Sequence, residues 1–382
     1  MVCDKNKCTG CYACYNICPK NAIKMIEDDN GFIYPSIYKE KCIDCNLCKK
    51  VCPAINKIKY NFPKICYAAQ RKDKIKLKES SSGGVASVLA EEFVVNNGVV
   101  YAAIFEKGFK FHYTRIDSLN DLCKMRGSKY VHCYVEDAYK KIKGDLLEKK
   151  EVLFIGTPCQ VAGLKTFLMK DYDNLYCVDL ICHGVPSLKY LKDELSSEID
   201  INNITGLKFR ENNEFKIVAK NNKKIVFSKR IENSKYYQGF MDGFFYRENC
   251  YDCKFARSDR ISDLTIGDFW GLGQDSSFYE KREEGVSVVL VCTKKGEKIL
   301  SNCSESLNLE KRDIEEAVNG NTQLRHPVKK DKNYDKFKKL YPKYGFDKSY
   351  NKTRYIAILK SVLQRNKLVL WLYLKIRGVL EK

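Results

Sequence analysis

The sequence predicts a multidomain chain of α+β and α/β class: a small cysteine-rich module, a mixed α/β core and a basic helical tail. Three observations predict it. One cysteine pattern occurs twice within residues 8–53. Apolar strand-like runs then alternate with helical runs between residues 66 and 330, which implies a core whose sheet is at least partly parallel. Positive charge gathers at one end: the 382-residue chain carries net +20, and residues 329–382 hold 16 Lys and Arg against 4 Asp and Glu. The expected divisions are 1–60, 66–150, 151–330 and 331–382.

The repeated pattern reads Cys8-x2-Cys11-x2-Cys14-x3-Cys18-Pro19, then Cys42-x2-Cys45-x2-Cys48-x3-Cys52-Pro53. This is the spacing of bacterial two-cluster ferredoxins. Three cysteines at i, i+3 and i+6 converge on three irons of a [4Fe–4S] cube, and the fourth crosses to the other cube. The expected ligand sets are Cys8, Cys11, Cys14 and Cys52, and Cys42, Cys45, Cys48 and Cys18. Proline after the fourth cysteine fixes φ and turns the chain away. Zinc loops set two cysteines together and two far away, so the pattern argues against zinc. Between the motifs, Ala22–Ile26 and Phe32–Ile37 flank Asp28-Asp29-Asn30-Gly31 and read as a β-hairpin. A polar linker over 57–64 closes the module.

In the core, Ser80-Ser81-Ser82-Gly83-Gly84 precedes a helical run, Val85–Val95. Val99–Phe105 and Phe109–Ile116 read as paired strands. Val152–Gly156 is a short strand that turns into a helix over Val161–Met169. Leu175–Cys182 is another strand. Phe209–Val226 alternates and reads as β, within a polar insertion at Asn202–Lys235. Leu264–Ile266 and Val286–Cys292 are further strands. Four cysteines outside the module hold telling positions. Cys159 stands where a strand gives way to a helix, Cys182 ends the next strand, and Cys250-x2-Cys253 precedes Gly267–Gly271. Ligands collect at strand ends in such sheets. A thiol at a helix N-terminus is biased toward thiolate. Buried structural cysteine is the competing reading for all four.

Ser81, Ser82, Gly83 and Gly84 suit a diphosphate cradle at the N-terminus of helix 85–95; a plain helix cap would use the same residues. Arg126, Gly127, Ser128 and Lys129 suit phosphate, as they also suit a solvated basic loop. His183, beside Cys182, can relay a proton or serve as a hydrogen-bonded structural histidine. No Gly-x-Gly-x-x-Gly follows a strand, and neither a Walker loop nor a Ser/His/Asp triad is present.

Five segments in order carry a family resemblance: Ser81–Gly84, Arg126–Tyr130, Gly156–Gln160, Ile181–Pro186, and Cys250-x2-Cys253 followed by Asp263–Gly271. Together they resemble the coenzyme F420 hydrogenase/dehydrogenase beta-subunit family over roughly residues 66–330. The resemblance implies a flavin, usually FAD, and a third [4Fe–4S] cluster on Cys159, Cys182, Cys250 and Cys253. It adds Thr157 and Gln160 to the cofactor-binding residues, and His183 and Lys129 become the catalytic candidates. The expected activity is that of an iron–sulfur flavoprotein oxidoreductase. Its partners would be a redox protein such as ferredoxin and an unidentified small-molecule or cofactor substrate. The alternative is a non-catalytic electron-transfer subunit docked on another redox enzyme.

Nineteen cysteines, a polar start unlike a signal peptide and oxygen-labile clusters place the expected location in the cytoplasm. The longest strongly apolar run, Leu368–Leu374, is far short of the roughly 20 residues of a membrane span. Residues 353–380 read as an amphipathic helix. Tyr355, Ile356, Ile358, Leu359, Val362 and Leu363 form its apolar stripe, and Arg354, Lys360, Arg365, Lys367, Lys375 and Arg377 its polar side. Such a helix suits peripheral contact with a membrane surface, or docking on the protein's own core. Tyr and Phe interleave with lysines at 334–355, but no recognition motif accompanies them, so nucleic acid is not an expected partner.

Overall fold

The computed structural model describes residues 2–211 and 214–365, the last ten of these as backbone only. The apolar runs become strands because each is buried on two faces. In β6 (Val152–Gly156), Val152 and Phe154 enter one hydrophobic cluster, and Leu153 and Ile155 enter another on the opposite side. Period-two side-chain alternation with both faces covered is what a central strand of an α/β sheet requires.

The strands are β1 Ile23–Glu27, β2 Ile33–Ile37, β3 Ile65–Arg71, β4 Val99–Glu106, β5 Lys110–Ile116, β6, β7 Leu175–Leu180, β8 Gly206–Glu211, β9 Glu214–Asn221, β10 Lys224–Arg230, β11 Leu264–Asp268, β12 Ser287–Val291 and β13 Leu307–Arg312. Eight form one mixed sheet in the order β13-β3-β12-β11-β7-β6-β4-β5. Its centre, β11-β7-β6-β4, is parallel, and antiparallel strands extend it on both sides. The insertion folds as a separate three-stranded sheet, β10-β9-β8. β1 and β2 form the expected hairpin of the cysteine-rich module.

Helix Val85–Val95 covers one face of the large sheet. Helices Ala138–Leu147 and Pro158–Leu168 cover the other, where Cys11, Tyr12, Ala13, Phe32, Ile33 and Val51 of the module join the same core. Two side chains clamp the module there. Arg247, 1% exposed, donates from Nε to the Cys8 carbonyl at 2.7 Å and from Nη2 to the Ile33 carbonyl at 2.6 Å. Lys254 donates to the carbonyls of Pro53 and Asn56.

The C-terminal helix spans Tyr334–Arg365 with a kink at Gly345, whose φ is +72°. Tyr334, Phe337, Tyr341, Phe346 and Tyr350 are buried in the core, so these rings are not free to stack on bases. Arg354 pairs with Asp242 and Asp331. Tyr355, first of the expected apolar stripe over 353–380, is exposed; the rest of the stripe lies outside the described side chains, and residues 366–382 lie outside the description altogether. Among the described residues no helix is long and apolar enough to cross a membrane.

Candidate functional site

In the module the fourth cysteine of each motif stands near thiols of the other motif, and Cys14 is within reach of Cys48 as well. Cys52 lies within electrostatic reach of Cys8, Cys11 and Cys14, while Cys48 is within reach of Cys45 and Cys18. Cys3, read from the sequence as structural, stands in hydrogen-bond contact with Cys8 and Cys52. In the core, Cys159, Cys182, Cys250 and Cys253 interact with one another. Burial pushes the Cys159 and Cys182 thiols up to about 12, with Cys182 and Cys253 respectively adding to the effect. The thiolate bias expected from the helix terminus is therefore outweighed by desolvation. Thiols so buried ionise when a metal takes the place of the proton. The donor set, four thiols with a buried cation beside them, fits an iron–sulfur cube. That cation is Arg260, 2% exposed, which bonds Asp179 at 2.9 Å and the carbonyls of Phe255 and Arg257 at 3.1 and 3.0 Å. Among the described residues no three His, Cys, Asp or Glu stand close enough to hold a single ion. A cube of four irons spaces its sulfurs more widely than one ion does.

The first set and the core set are joined by one helix. A Cβ at Gly163 would lie 2.9 Å from Cys11 Cβ and 3.0 Å from Cys11 Sγ. Only glycine lets helix Pro158–Leu168 approach this closely. Cys159 is one turn earlier on that helix, about 6 Å along its axis.

Beyond Cys159 lies a cavity of about 350 Å³ at the C-terminal ends of the parallel strands. This is where open α/β sheets bind ligands, and the volume is that of a cofactor cleft. Its wall includes Ser81, Ser82, Gly84, Arg126, Gly127, Ser128, Lys129, Thr157, Cys159, Gln160, Cys182 and His183. The sequence-predicted residues thus meet, with three qualifications. Gly83 is outside the wall: its Cβ would fall 2.1 Å from the Ala69 carbonyl, so this glycine serves close packing against β3. Gln160 and Thr157 are spent on structure. Gln160 Oε1 accepts from Tyr113 Oη, Thr157 N and Thr157 Oγ1, its Nε2 donates to the Cys133 carbonyl, and Thr157 Oγ1 lies 3.3 Å from Cys159 Sγ. Lys129 turns Nζ toward the carbonyls of Met125, Arg126 and Gly127 at 2.6–3.1 Å. Burial lowers its pKa to about 8, while the ring of carbonyls favours the charged form. Its N–H groups are committed to the loop, which argues against the proton-transfer role.

Ser81 Oγ accepts from Ser128 N at 2.7 Å, joining the two loops expected to face phosphate. Arg126 is paired with Glu79 and Glu91. His183 Nδ1 lies 3.2 Å from Gln323 Nε2, and burial lowers its pKa, keeping the ring neutral.

Sequence reasoning missed the far wall. Arg210 of β8 makes a two-pronged pair with Asp268 at 3.0 and 2.8 Å, donates to the Ser81 carbonyl, and stacks 4.1 Å from the Phe215 ring centre. Trp270 stacks on Phe215 in turn. Trp270 was inside a quoted motif, whereas Arg210 carried no local signal. His132 was also missed. It is 6% exposed, lines the cavity, and packs against the Gly10 backbone of the module. Burial and the nearby Arg247 lower its pKa to about 3. The two arginines of the wall, Arg126 and Arg210, with the serines beside them, suit a polar, anionic group such as a flavin dinucleotide.

Residues 7–55 match a 4Fe-4S dicluster domain. Over 205 residues the chain is 27% identical to an uncharacterized protein of Methanocaldococcus jannaschii, an alignment covering 45% of this chain and 56% of that protein. The chain thus spans about half the length of this curated relative. Among solved structures it is similar to a chain of the F420-reducing [NiFe] hydrogenase complex from Methanosarcina barkeri. That match has 19% identity and a TM-score of 0.47, covering 76% of this chain and 91% of that one. Residues 66–140 match the N-terminal part, and 149–317 the C-terminal part, of one beta subunit. The chain belongs to the coenzyme F420 hydrogenase/dehydrogenase beta-subunit family.

Proposed function

We propose that this chain is an iron–sulfur flavoprotein oxidoreductase. In this reading the module's two clusters exchange electrons with a third cluster on Cys159, Cys182, Cys250 and Cys253. The cavity holds a flavin, FAD first, against which an unidentified small substrate reacts. The supporting observation is the contact of Gly163 with Cys11, one turn from Cys159 at the cavity wall. A flavin supplies the step between one-electron carriers and two-electron substrates.

The chain's own residues account for the rest. Ser81, Ser82 and Ser128, with the N-terminus of helix Val85–Val95, bind and orient a diphosphate. The guanidinium groups of Arg126 and Arg210 at the cavity wall offset its charge. Arg210, Phe215 and Trp270 shut water out from the side of the small sheet. Arg247 and Arg260 offset the negative charge of cysteine-bound iron. Gln323 fixes the neutral His183 ring so that Nε2 can hold or release a proton at the substrate. Lys129 holds its loop and takes no part in proton transfer.

The test is anaerobic reconstitution with iron and sulfide, followed by FAD, FMN or a deazaflavin, with bound flavin counted after acid release. We expect about one flavin per chain. Ser128→Asp should weaken flavin binding about tenfold or more at unchanged iron content, because it sets a carboxylate against the diphosphate. A fully iron-loaded chain that binds none of the three flavins would favour the second reading, an electron-transfer subunit docked on another redox enzyme. The family's description as a beta subunit is what keeps that reading in view.

A further inference from the structure

Only one loop exposes a cysteine of the three sets. Cys8, Cys11, Cys14, Cys52 and Cys250 are all 9% exposed or less, and Cys159 and Cys182 face the cavity. Cys18, Cys42, Cys48 and Cys253 are half-buried, and Cys45 alone is exposed. Electron transfer between proteins weakens steeply with distance, so the loop with the exposed Cys45 offers an external carrier the nearest approach.

The rim of this loop has a defined chemistry. Ile43 and Ile55 are 57% and 49% exposed and leave apolar surface on the loop and on the turn that follows the module's last cysteine. The Ile55 turn is tied beside the loop by Asn56 Nδ2, which donates to the Lys49 carbonyl at 2.8 Å. Lys39, Lys41, Lys49, Lys50 and Lys57 are exposed, and among the described residues none of them is in an ion pair. Glu40 and Asp44 are the only acids from 39 to 57. Lysines elsewhere are often neutralised, as Lys150 is by Asp145 and Glu148, or Lys338 by Glu248. Free cations on the same loop and turns as exposed apolar side chains attract an acidic surface and let it seat.

We propose that the Cys42–Cys48 loop, with Ile43, Ile55 and its lysine collar, is the docking surface for a small acidic iron–sulfur carrier protein. One electron leaves the reduced carrier and enters the cluster on Cys18, Cys42, Cys45 and Cys48; no bond or proton changes hands. The inference deepens the proposed function but rests only on its iron–sulfur half, not on the flavin.

The test uses the full-length, iron-loaded chain and, as probe, a reduced acidic two-cluster ferredoxin mixed in a stopped-flow cell. The observed second-order rate should fall about tenfold or more from low to high salt. The triple variant Lys41→Glu, Lys49→Glu, Lys50→Glu should be slower by about the same factor at low salt and lose the salt dependence. Iron content and the electron-spin signals of its clusters should match the parent, which shows that it is folded. A parent rate indifferent to salt, or a triple variant as fast as the parent, would overturn the proposal. So would light scattering that shows a dimeric parent and a monomeric variant, since the face would then belong to a second copy of this chain. A chain without flavin still reports on docking, so failure here and failure of the cavity reading are distinguishable.

Discussion

Replacing Arg247 with methionine tests whether the cysteine-rich module is clamped to the core or only tethered by the chain. Methionine keeps much of the stem's bulk and removes both donors. The carbonyls of Cys8 and Ile33, bonded at 2.7 and 2.6 Å, then lose their buried partner. Each stranded acceptor costs about 1–3 kcal/mol. Loss of the guanidinium from the Tyr34 face, 4.2 Å from the ring centre, adds about 1 kcal/mol. Part of this returns, because a buried charge with an unpartnered Nη1 is itself unfavourable. The net weakening of docking is about 2–4 kcal/mol, which corresponds to roughly 30- to 1,000-fold more frequent opening. Hydrogen exchange on the iron-loaded protein reads this directly. Amides of β1, β2 and helix Ala13–Ile17 should exchange faster by that factor, while those of β6 and β7 keep their rates. Unchanged exchange in β2 would refute the reasoning and leave apolar contact as the sole attachment.

Cys250→Ser should lower iron from about twelve to about eight per chain while the module's clusters persist, as a colorimetric iron assay would show; an unchanged count rejects the third cluster. His132 is held near a pKa of about 3 in the folded chain against 6.5 when free. The unfolded chain therefore binds the extra proton first, and stability is lost as pH falls from about 6.5, at up to about 1.4 kcal/mol per unit. Urea unfolding from pH 8 to 5.5 should show a shallower slope in His132→Asn. Gly163→Ala puts a methyl 2.9 Å from Cys11 Cβ and from Tyr139 Oη, and overpacking of about 1–3 kcal/mol should outweigh the helix gain of about 1 kcal/mol. The control is Gly144→Ala, where nothing lies within 4 Å and thermal stability should rise.

What the sequence made legible was local. Cysteine spacing in residues 8–53 carries the dicluster module, because metal geometry fixes short-range intervals. The helix Val85–Val95 and the strand Val152–Gly156 fall where the periodicity put them, since each buries a complete face. β3 and β13 escaped notice. β13 has a part-exposed, charged edge, and β3 pairs with strands more than 200 residues away. Arg247 and Arg260 were invisible for a different reason. Arginine is ordinarily a surface residue, and only the fold shows that backbone carbonyls and Asp179 satisfy these two inside. Arg210 meets Asp268, Phe215 and Ser81 across three separate segments, so no window of sequence contains the cavity wall it builds. Lys129 and Gln160 sat in motifs that suggested chemistry. Their hydrogen bonds to nearby backbone were part of the same motifs, but periodicity does not encode them.

The order in which the ribosome releases this chain bears on how its iron is loaded. The eight module cysteines occupy residues 8–52, so both ferredoxin-type sites are complete once a short N-terminal stretch has emerged. Arg247, whose guanidinium holds the Cys8 carbonyl, arrives 239 residues later. The core set cannot close until Cys253 is out. In the interval the module stands alone with Cys11, Tyr12, Phe32 and Ile33 uncovered, the same apolar surface that later joins the core. On the proposed reading, iron delivery to the module and iron delivery to the core are thus separate events in time, and a cell short of iron or sulfide would accumulate chains whose module is filled while the site beside the cavity waits.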